Sequence, residues 1–360
     1  MSMREYNEEE KCWIWLASLG LGAKTFYQVV KTFGSAAGFF KALELGLELP
    51  QTLSAETLCL ARAAASRQRI TELLCELSTK NIDAITRISE GYPEPLANIP
   101  WPPPVLFIKG QLPDLARTVG IVGTRRCSRR GYEFTRSLAG ELNGMCVVSG
   151  MARGIDTAAH LGALDADAPT VAVLGCGVDV VYPPESEQLY QNIIQNGAVI
   201  SELPVGAAPY MGNFPVRNRI IAGLSKGLLV VESESKGGTA ITASLAVQYG
   251  KDVFAVPGAP YLSTSELPNA LIAAGAAPVR TASDICDYYN EGKMQTTKQE
   301  AVPVLDLTQA RIYEQLRQGD LSPEGVAAYT GFTPGEVSVA LTMMELSGVI
   351  RRLPGGKYGV

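Results

Sequence analysis

Six short apolar segments, each followed by a stretch long enough for a helix, constrain the fold of this chain more than any other feature. They are rich in β-branched residues and almost continuously apolar, as strands buried on both faces of a sheet are. Such β–α repetition predicts an α/β fold with a doubly wound, mostly parallel sheet, whose sites lie at the carboxyl ends of the strands. The predicted strands are Val119–Val122, Cys146–Ser149, Val171–Leu174, Ala198–Ser201, Leu228–Val231 and Val253–Val256.

Helical segments flank this repetition on both sides. From about residue 8 to 88 apolar residues recur at three-to-four spacing, and Leu19–Gly22 resembles the turn of a helix-hairpin-helix, although such a turn is more often only a tight helix connection. The proline-rich bridge at residues 91–104 marks a domain boundary. Near the carboxyl end, three short helices and a hairpin indicate a winged helix. The predicted domains are residues 1–90 (helical), 91–287 (sheet), 288–305 (linker) and 306–360 (winged helix).

The composition limits how this chain could bind nucleic acid. Its net charge is −5, with 31 Lys and Arg against 36 Asp and Glu. A uniformly basic surface is therefore excluded, and any contact with nucleic acid must come from a local concentration of Arg and backbone N–H groups. Net charge alone favours the alternative, that the chain binds no nucleic acid.

The distribution of cysteine and apolar residues predicts the compartment. Seven scattered cysteines, none in a C-x-x-C pair, indicate free thiols in a reducing environment and no metal site. No apolar run approaches the roughly 18 residues that span a bilayer, and the polar, acidic start of the chain is unlike a signal peptide. We expect a cytoplasmic protein without membrane association.

The first group of candidate site residues, Gly123-Thr124-Arg125-Arg126, follows the first predicted strand. It leads into a helix start that Ser128 could cap. Free N–H groups and the positive end of the dipole make a helix amino terminus attractive to phosphate, and the arginines strengthen that attraction. The alternative is that the arginines only form a solvated helix face. The glycine spacing is not G-x-G-x-x-G, which disfavours a dinucleotide site.

A second group follows the second strand and contains Ser149, Gly150, Ala152, Arg153, Gly154 and Asp156. Two glycines flank an arginine there, and Asp156 stands where it could cap the next helix. His160 is the only histidine of the chain. Without a second histidine or a nucleophile at a fixed spacing, we expect it to be a packed helix residue rather than a catalyst.

A third group places an aromatic ring beside two guanidinium groups, at Phe214, Arg217, Asn218 and Arg219. An aromatic platform next to arginine is typical of sequence-tolerant binding of unpaired bases. Alternatively, Phe214 belongs to the core and the arginines pair with Glu232 or Glu234. A fourth group, Lys236-Gly237-Gly238-Thr239, opens another helix and offers a second amino terminus to phosphate.

Taken together, these segments resemble the DNA-processing protein A family from about residue 90 to 280. The motifs that carry the resemblance are Gly123-Thr124-Arg125, Ser149-Gly150-x-Ala152-x-Gly154-Ile155-Asp156-x-Ala158-Ala159-His160, Tyr182-Pro183, Ser201-Glu202, Phe214-Pro215-x-Arg217-Asn218-Arg219 and Val256-Pro257-Gly258, with Tyr92-Pro93 and Lys109-Gly110 upstream. The flanking segments fit the longer members of that family, which have an amino-terminal SAM-like domain and a winged helix.

The resemblance implies a Rossmann-like homodimer that binds single-stranded DNA, protects incoming strands and loads RecA onto them during natural transformation. It implies that Arg125 grips backbone phosphate, that the Ser149–Asp156 loop lines the pocket with N–H groups, and that Phe214 meets a base. The residues expected to bind single-stranded DNA are Gly123, Thr124, Arg125, Arg126, Ser149, Gly150, Ala152, Arg153, Gly154, Asp156, Phe214, Arg217, Asn218, Arg219, Lys236, Gly237, Gly238 and Thr239.

Three segments depart from the family pattern. Met211 stands where similar proteins often carry a lysine that contacts DNA, so one charge is missing. The Lys236–Thr242 segment replaces the usual Ser-Gly-Ser/Thr-Leu-Ile-Thr pattern, and Ser265–Asn269 lacks a glycine before its asparagine. The missing charge predicts a weaker affinity for DNA, and the other two departures predict that two loops are shaped differently.

The main alternative is a nucleotide-processing enzyme of the phosphoribohydrolase type on the same scaffold, since fold alone does not decide function. Such an enzyme would need a Pro-Gly-Gly-x-Gly-Thr loop joined to a catalytic Glu, and the sequence has no such run. A third hypothesis is a transcription regulator that binds duplex DNA through the winged helix. We expect no catalytic residues, no cofactor and no metal, and hence a binding protein rather than an enzyme.

Overall fold

The computed structural model of the chain describes residues 4–47, 53–294, 307–346, 350–353 and 356–359. The chain divides into two compact units, Met1–Gly292 and Lys293–Val360. No helix within the described ranges combines the length and the apolar content that a membrane span requires.

The first unit begins with a cluster of helices. They are α1 (Glu8–Ser18), α2 (Ala23–Phe33), α3 (Ala36–Glu44), α4 (Ala55–Ala64) and α5 (Arg67–Thr79). A capping box starts α1, because Asn7 accepts a hydrogen bond from Glu10 N and the Glu10 carboxylate accepts one from Asn7 N. Aromatic side chains fill the core between these helices, among them Trp15, Phe26 and Phe40. The Leu19–Gly22 segment connects α1 to α2 directly.

The described residues of this unit also form a nine-stranded sheet with the order β1-β2-β6-β5-β4-β3-β7-β8-β9. Its strands are β1 (Asp83–Thr86), β2 (Val105–Gly110), β3 (Thr118–Val122), β4 (Cys146–Ser149), β5 (Thr170–Val173), β6 (Gly197–Ser201), β7 (Gly227–Val230), β8 (Asp252–Ala255) and β9 (Ala277–Pro278). In the part of the sheet with the order β6-β5-β4-β3-β7-β8-β9, every pair of neighbouring strands is parallel. Strand β2 pairs antiparallel with both β1 and β6. All six predicted strands are confirmed to within one residue at each end.

Helices cover both faces of the sheet, as a doubly wound fold requires. They are α6 (Glu94–Ala97), α7 (Arg129–Glu141), α8 (Ile155–Asp165), α9 (Glu187–Asn196), α10 (Asn213–Leu224), α11 (Gly238–Gln248), α12 (Glu266–Ala273) and α13 (Ala282–Met294). Helices α7, α8 and α13 pack on one face, and α10 and α11 pack on the other. The chain fills one half of the sheet from β3 to β6 and then returns to place β7 on the other side of β3. The loops after β3, β4 and β5 therefore lie together at one edge.

Two boundaries differ from the sequence-based expectation. Strand β1 lies within residues 1–90, which we expected to be helical, but it pairs with β2. The proline-rich bridge therefore joins two strands of one sheet. Helix α13 extends to Met294 and occupies the start of the expected linker 288–305, and residues 295–305 of that linker lie outside the described residues. The sequence did not predict β1, β2 or β9.

The second unit has the predicted winged-helix order. Its elements are α14 (Leu307–Gln318), α15 (Pro323–Thr330), α16 (Pro334–Leu346) and the antiparallel strands β10 (Arg351–Leu353) and β11 (Lys357–Gly359). Apolar side chains from all three helices form a separate core, including Ile312, Val326 and Leu341. Such an independent core is what makes this segment a unit of its own.

Candidate nucleic-acid interface

The loops after β3, β4 and β5 and the first turns of α10 enclose a pocket at the carboxyl edge of the sheet. Its lining residues are Arg125, Gly150, Ala152, Arg153, Leu174, Gly175, Cys176, Tyr182, Pro183, Phe214 and Arg217. The cavity volume is about 30 Å³. That volume holds one or two water molecules or a few oxygens of a phosphate group, far below the roughly 300–1,000 Å³ of small-molecule sites.

An arginine and two aromatic rings form one wall of this pocket. The guanidinium carbon of Arg125 lies over the Phe214 ring, 5.4 Å from its centroid. The Tyr182 ring packs beside Phe214 with centroids 5.4 Å apart. Gly175 permits this arrangement because a Cβ there would lie 2.8 Å from the Phe214 ring. The resemblance implies separate roles for Arg125 and Phe214 in one DNA-binding site, and the fold brings them into direct contact through a cation–π interaction.

Arg217 forms the floor of the pocket and is only 5% exposed. Its Nη1 donates hydrogen bonds to the carbonyl oxygens of Gly150, at 2.8 Å, and of Val173. These bonds tie the ends of β4 and β5 together. Its Nε is buried and has no hydrogen-bond partner within the described part of the chain. Burial lowers the pKa of Arg217 to about 10, so the side chain stays charged at neutral pH.

Asp156 lies beneath the loop that follows β4. We expected it to cap α8, but it is the second residue of that helix, and its Oδ2 accepts hydrogen bonds from Gly150 N at 3.2 Å and Ala152 N at 3.4 Å. The carboxylate thus shapes the loop rather than the helix end. Burial raises the pKa of Asp156 to about 6, and the nearby charge of Arg217 opposes that rise.

The same loop requires a glycine at position 154. Gly154 has a φ of 78°, in the region that favours glycine, and a Cβ there would lie 2.4 Å from the Thr124 carbonyl oxygen. Ser149 is buried and donates to the Ile121 carbonyl at 2.7 Å, which links β4 to β3. These two residues hold the loop in place and do not line the pocket.

Arg219 has a different environment from Arg217. Residues two apart on a helix face different sides, and Arg219 forms an ion pair with Glu202 instead of lining the pocket. The alternative pairing with Glu232 or Glu234 is therefore wrong for Arg219, whose carboxylate partner is Glu202, the residue directly after β6. Asn218 donates to the Gly238 carbonyl at 3.2 Å. The helix spacing alone could have separated the two arginines.

Glu232 instead occupies the crevice between β3 and β7, where the strand order reverses. It accepts hydrogen bonds from Ser128 N at 2.7 Å and Ser128 Oγ at 2.6 Å. Ser128 also caps α7, as predicted, by accepting a bond from Gly131 N at 2.9 Å. A carboxylate thus fills the position where dinucleotides bind in such folds. Arg126, in the same turn, is exposed.

Arg153 stands at the rim of the pocket and is exposed. It forms an ion pair with Glu185, which follows Tyr182-Pro183 in the chain. Exposed pairs of this kind contribute little net free energy, so an incoming phosphate can compete for the guanidinium. Sequence reasoning did not select Tyr182, Gly175 or Glu185 for the site, although the Tyr182-Pro183 motif was a signal for this loop.

The predicted segment Lys236–Thr239 lies outside the pocket lining. Gly237, with a φ of 145°, precedes the first residue of α11, and no side chain caps that helix. Lys236 is exposed there. In the other unusual loop, Asn269 and Gly258 exchange hydrogen bonds of 2.9 and 3.1 Å. Both loops are well formed but separate from the pocket.

The charged residues in the described pocket lining are all arginines. None of its described lining residues is Asp, Glu or His. Cys176 is buried there, and burial raises the pKa of its thiol to about 11, which keeps it protonated and unreactive at neutral pH. His160 is fully buried, as expected of a packed residue, with Nδ1 2.7 Å from Thr170 Oγ1, and burial lowers its pKa to about 3. Within the described ranges, no cluster of His, Cys, Asp and Glu could hold a metal.

Comparison with known proteins identifies the family. The model of the DNA recombination-mediator protein A family matches residues 83–290, and that of the DprA winged helix domain matches residues 296–356. Protein Smf of Synechocystis sp. is 30% identical over 98% of this chain and 99% of its own length.

Two solved structures extend this similarity to the fold. DNA processing protein A from Streptococcus pneumoniae has a TM-score of 0.62 and 32% identity, covering 79% of this chain and 98% of that one. The protein from Helicobacter pylori, studied for its single-stranded DNA binding mode, has a TM-score of 0.53 and 29% identity, covering 59% of this chain and 96% of that one. Residues 83–290, which include the sheet, and residues 296–356, which include the winged helix, each match a model of this family, and the chain belongs to the DNA recombination-mediator protein A family.

Proposed function

We propose that this chain binds single-stranded DNA through the carboxyl-edge pocket and acts as a recombination mediator without catalysing a reaction. The observation that carries the proposal is the convergence of Arg125, Arg153 and Arg217 beside the Phe214 and Tyr182 rings. Guanidinium groups neutralise the DNA backbone, and the Phe214 ring holds Arg125 in place at the mouth of the pocket.

The buried donor of Arg217 supports an anionic ligand. Its Nε has no partner among the described residues although it lies in a desolvated position at the pocket floor. A buried donor without an acceptor costs about 1–3 kcal/mol. A phosphate oxygen that entered the pocket would accept this hydrogen bond and face the charges of Arg125 and Arg153.

In this proposal, the arginines that contact DNA are those whose guanidinium groups are exposed to solvent or line the pocket. Arg125, Arg126 and Arg153 are exposed and Arg217 lines the floor, so these four are the proposed phosphate contacts. Arg219 is held by Glu202, and we assign it to the support of α10. Gly123 and Gly154 let the loops after β3 and β4 approach closely, and Gly150 leaves room for the Arg217 side chain. Lys236–Thr239 would contact a strand that extends beyond the pocket.

The alternative enzyme function finds less support. A hydrolase of nucleotides needs an acid or base within hydrogen-bond reach of its substrate. Two carboxylates contact lining residues of the pocket: Asp156 is engaged with the N–H groups of Gly150 and Ala152, and Glu185 is engaged with Arg153. We therefore propose binding without turnover, and no cofactor.

The wider role that we propose is protection of incoming strands and loading of RecA onto them during natural transformation, by a cytoplasmic homodimer. Membership of the DNA recombination-mediator protein A family supports a role in recombination. The dimer is supported by large apolar side chains left exposed on α11 and the loop after β8, among them Val247, Tyr261 and Leu262.

Salt dependence tests the binding proposal. With four phosphates neutralised at about 0.7 counterions each, log K for a single strand should fall with log salt at a slope near −3. Fluorescence anisotropy with a labelled 20-mer, between about 50 and 300 mM salt, measures this slope, and a duplex of the same sequence is the control. Nucleoside monophosphate cleavage, assayed in parallel, should stay at background. Binding that ignores salt, or measurable turnover, would contradict the proposal.

For the winged helix we propose a packing or partner-binding role instead of duplex recognition. A reading helix places early side chains on base edges and basic residues near phosphates. Helix α16 contains no Lys or Arg, and its Glu336 is fixed near the amino terminus by Thr333. Arg351 and Arg352, on the hairpin of β10 and β11, are exposed and would allow contact only with the DNA backbone.

Truncation measures the contribution of the winged helix. Because α13 runs to Met294 and packs on the sheet through Ile285, the chain should be cut after residue 294. Single-strand affinity of this variant should stay within about threefold of the full chain, and the isolated residues 306–360 should not shift a duplex. Duplex binding by the isolated segment at micromolar concentration would reverse this assignment.

A further inference from the structure

Three large apolar side chains near the start of α10 are exposed to solvent. Tyr210 is 70% exposed, Met211 is 85% exposed and Val216 is also open to solvent. They lie within four residues of Phe214 in the chain, and Phe214 lines the pocket. Large apolar side chains that cluster on the surface beside a charged site mark a contact with a ligand.

The turn that carries Tyr210 limits where its exposed ring can lie. The ring lies against the backbone of Gly212, where a Cβ would be 2.8 Å from Tyr210 Cε1. The Tyr210 carbonyl accepts a bond from Asn213 N at 3.0 Å, which sets the turn before α10. Substituting Gly212 with a larger residue would displace the ring.

The loop that carries Tyr210 is anchored to the wall of the pocket. Gly177 N donates to the Ala207 carbonyl at 2.9 Å, and Gly206 N donates to Asp179 Oδ1 at 2.8 Å. Lys80 in turn holds the other oxygen of Asp179 at 2.8 Å. An aromatic ring on such a preformed loop can accept a ligand without a large ordering cost.

Phe214 itself has little space for a base. Arg125 lies over its ring, Tyr182 and Gly175 pack against it, and the cavity beside it measures only about 30 Å³. The pocket therefore suits a phosphate, and the flat base attached to that nucleotide must lie outside it. The exposed ring nearest along the chain is that of Tyr210.

We propose that Tyr210, with Met211 beside it, stacks an unpaired base of the strand whose phosphates occupy the carboxyl-edge pocket. This inference rests on the proposed function and extends it to a contact that discriminates single strands from duplexes. In a duplex, the faces of the bases are stacked on one another, so an exposed ring can stack only on an unpaired base. Met211, which stands where similar proteins often carry a lysine, would then contribute apolar contact area to the base instead of a positive charge.

The test compares Tyr210→Ala, Tyr210→Phe and Tyr210→Leu on two oligonucleotides, a (dT)20 strand and a strand of equal length built of abasic sites. Stacking on one base corresponds to about a 5- to 150-fold change in affinity. We expect Tyr210→Ala to lose that factor on (dT)20, Tyr210→Leu to lose nearly as much, and Tyr210→Phe to bind like the wild type. On the abasic strand all four proteins should bind equally, and the salt slope should be the same for all.

Other outcomes separate this inference from the proposed function. If the wild type binds (dT)20 and Tyr210→Ala binds it equally well, stacking by Tyr210 is refuted while the function stands. An equal loss on the abasic strand would mean that the substitution disturbs the phosphate site, and it would also refute stacking. Loss of self-association without loss of DNA affinity would assign the ring to a protein interface. If the wild type binds neither strand, both the function and this inference fail.

Discussion

Replacing Arg217 with Met should lower the free energy of unfolding by about 3–5 kcal/mol, the cost of breaking a buried charge arrangement by removing one side. Arg217 is buried at the pocket floor, and its Nη1 donates to the carbonyl oxygens of Gly150 and Val173. Its charge also counteracts the burial of Asp156. Without it, two buried carbonyls lose their donor and a buried carboxylate loses its neighbouring cation.

Urea denaturation at neutral pH measures this loss, with Arg125→Met as the matched control. Arg125 is exposed, so the same substitution there should change stability by less than about 0.5 kcal/mol. The double variant Arg217→Met with Asp156→Asn should recover part of the loss, because the unpaired carboxylate is then gone. A change below about 1 kcal/mol for Arg217→Met would show that this side chain does not hold the strand ends together.

Replacing Arg125 with Glu should weaken single-stranded DNA binding by about 100-fold or more, since loss of one well-placed charge contact costs about 2–5 kcal/mol and the new carboxylate adds repulsion. Arg125 is exposed at the pocket mouth and is held over Phe214, so its charge is oriented before DNA arrives. The salt slope should also become shallower by about 0.7 or more, as one phosphate contact disappears.

Anisotropy titrations with (dT)20 provide both numbers. Arg69→Glu is the control, because it makes the same change in net charge on an exposed position of α5, far along the chain from the pocket. Arg125→Lys keeps the charge but loses the planar group, and it should fall between the wild type and Arg125→Glu. Wild-type affinity and slope for Arg125→Glu would remove this pocket from the DNA path.

The candidate site was only partly accessible to sequence reasoning. The turn after β3 was predictable because Ser128 and the helix start are local features, and the structure confirms that cap. The sequence also gathered Arg217 and Arg219 into one group, yet one lines the pocket floor and the other pairs with Glu202. Residues two positions apart on a helix face different sides, and sequence spacing without the fold does not say which groups each side of the helix contacts.

The sequence by itself determined the six parallel strands, the alternating helices and the winged helix. These elements follow from short-range patterns, since a strand buried on both faces must be apolar throughout and a helix must begin with a cap. The family resemblance likewise depended on residues that are close together in the chain.

Only the tertiary structure decided the antiparallel pairs of β1 and β2, the filling of the crevice by Glu232 and the burial of Arg217. Strand β2 pairs with β6 across Phe107 and Ser201, and Arg217 meets carbonyl groups 67 and 44 residues away. Such contacts join segments that are far apart in the chain, and the local sequence pattern of one segment does not indicate which other segment it will contact. They form because the folded sheet leaves strand edges, carbonyl groups and charges that must find partners once water is excluded.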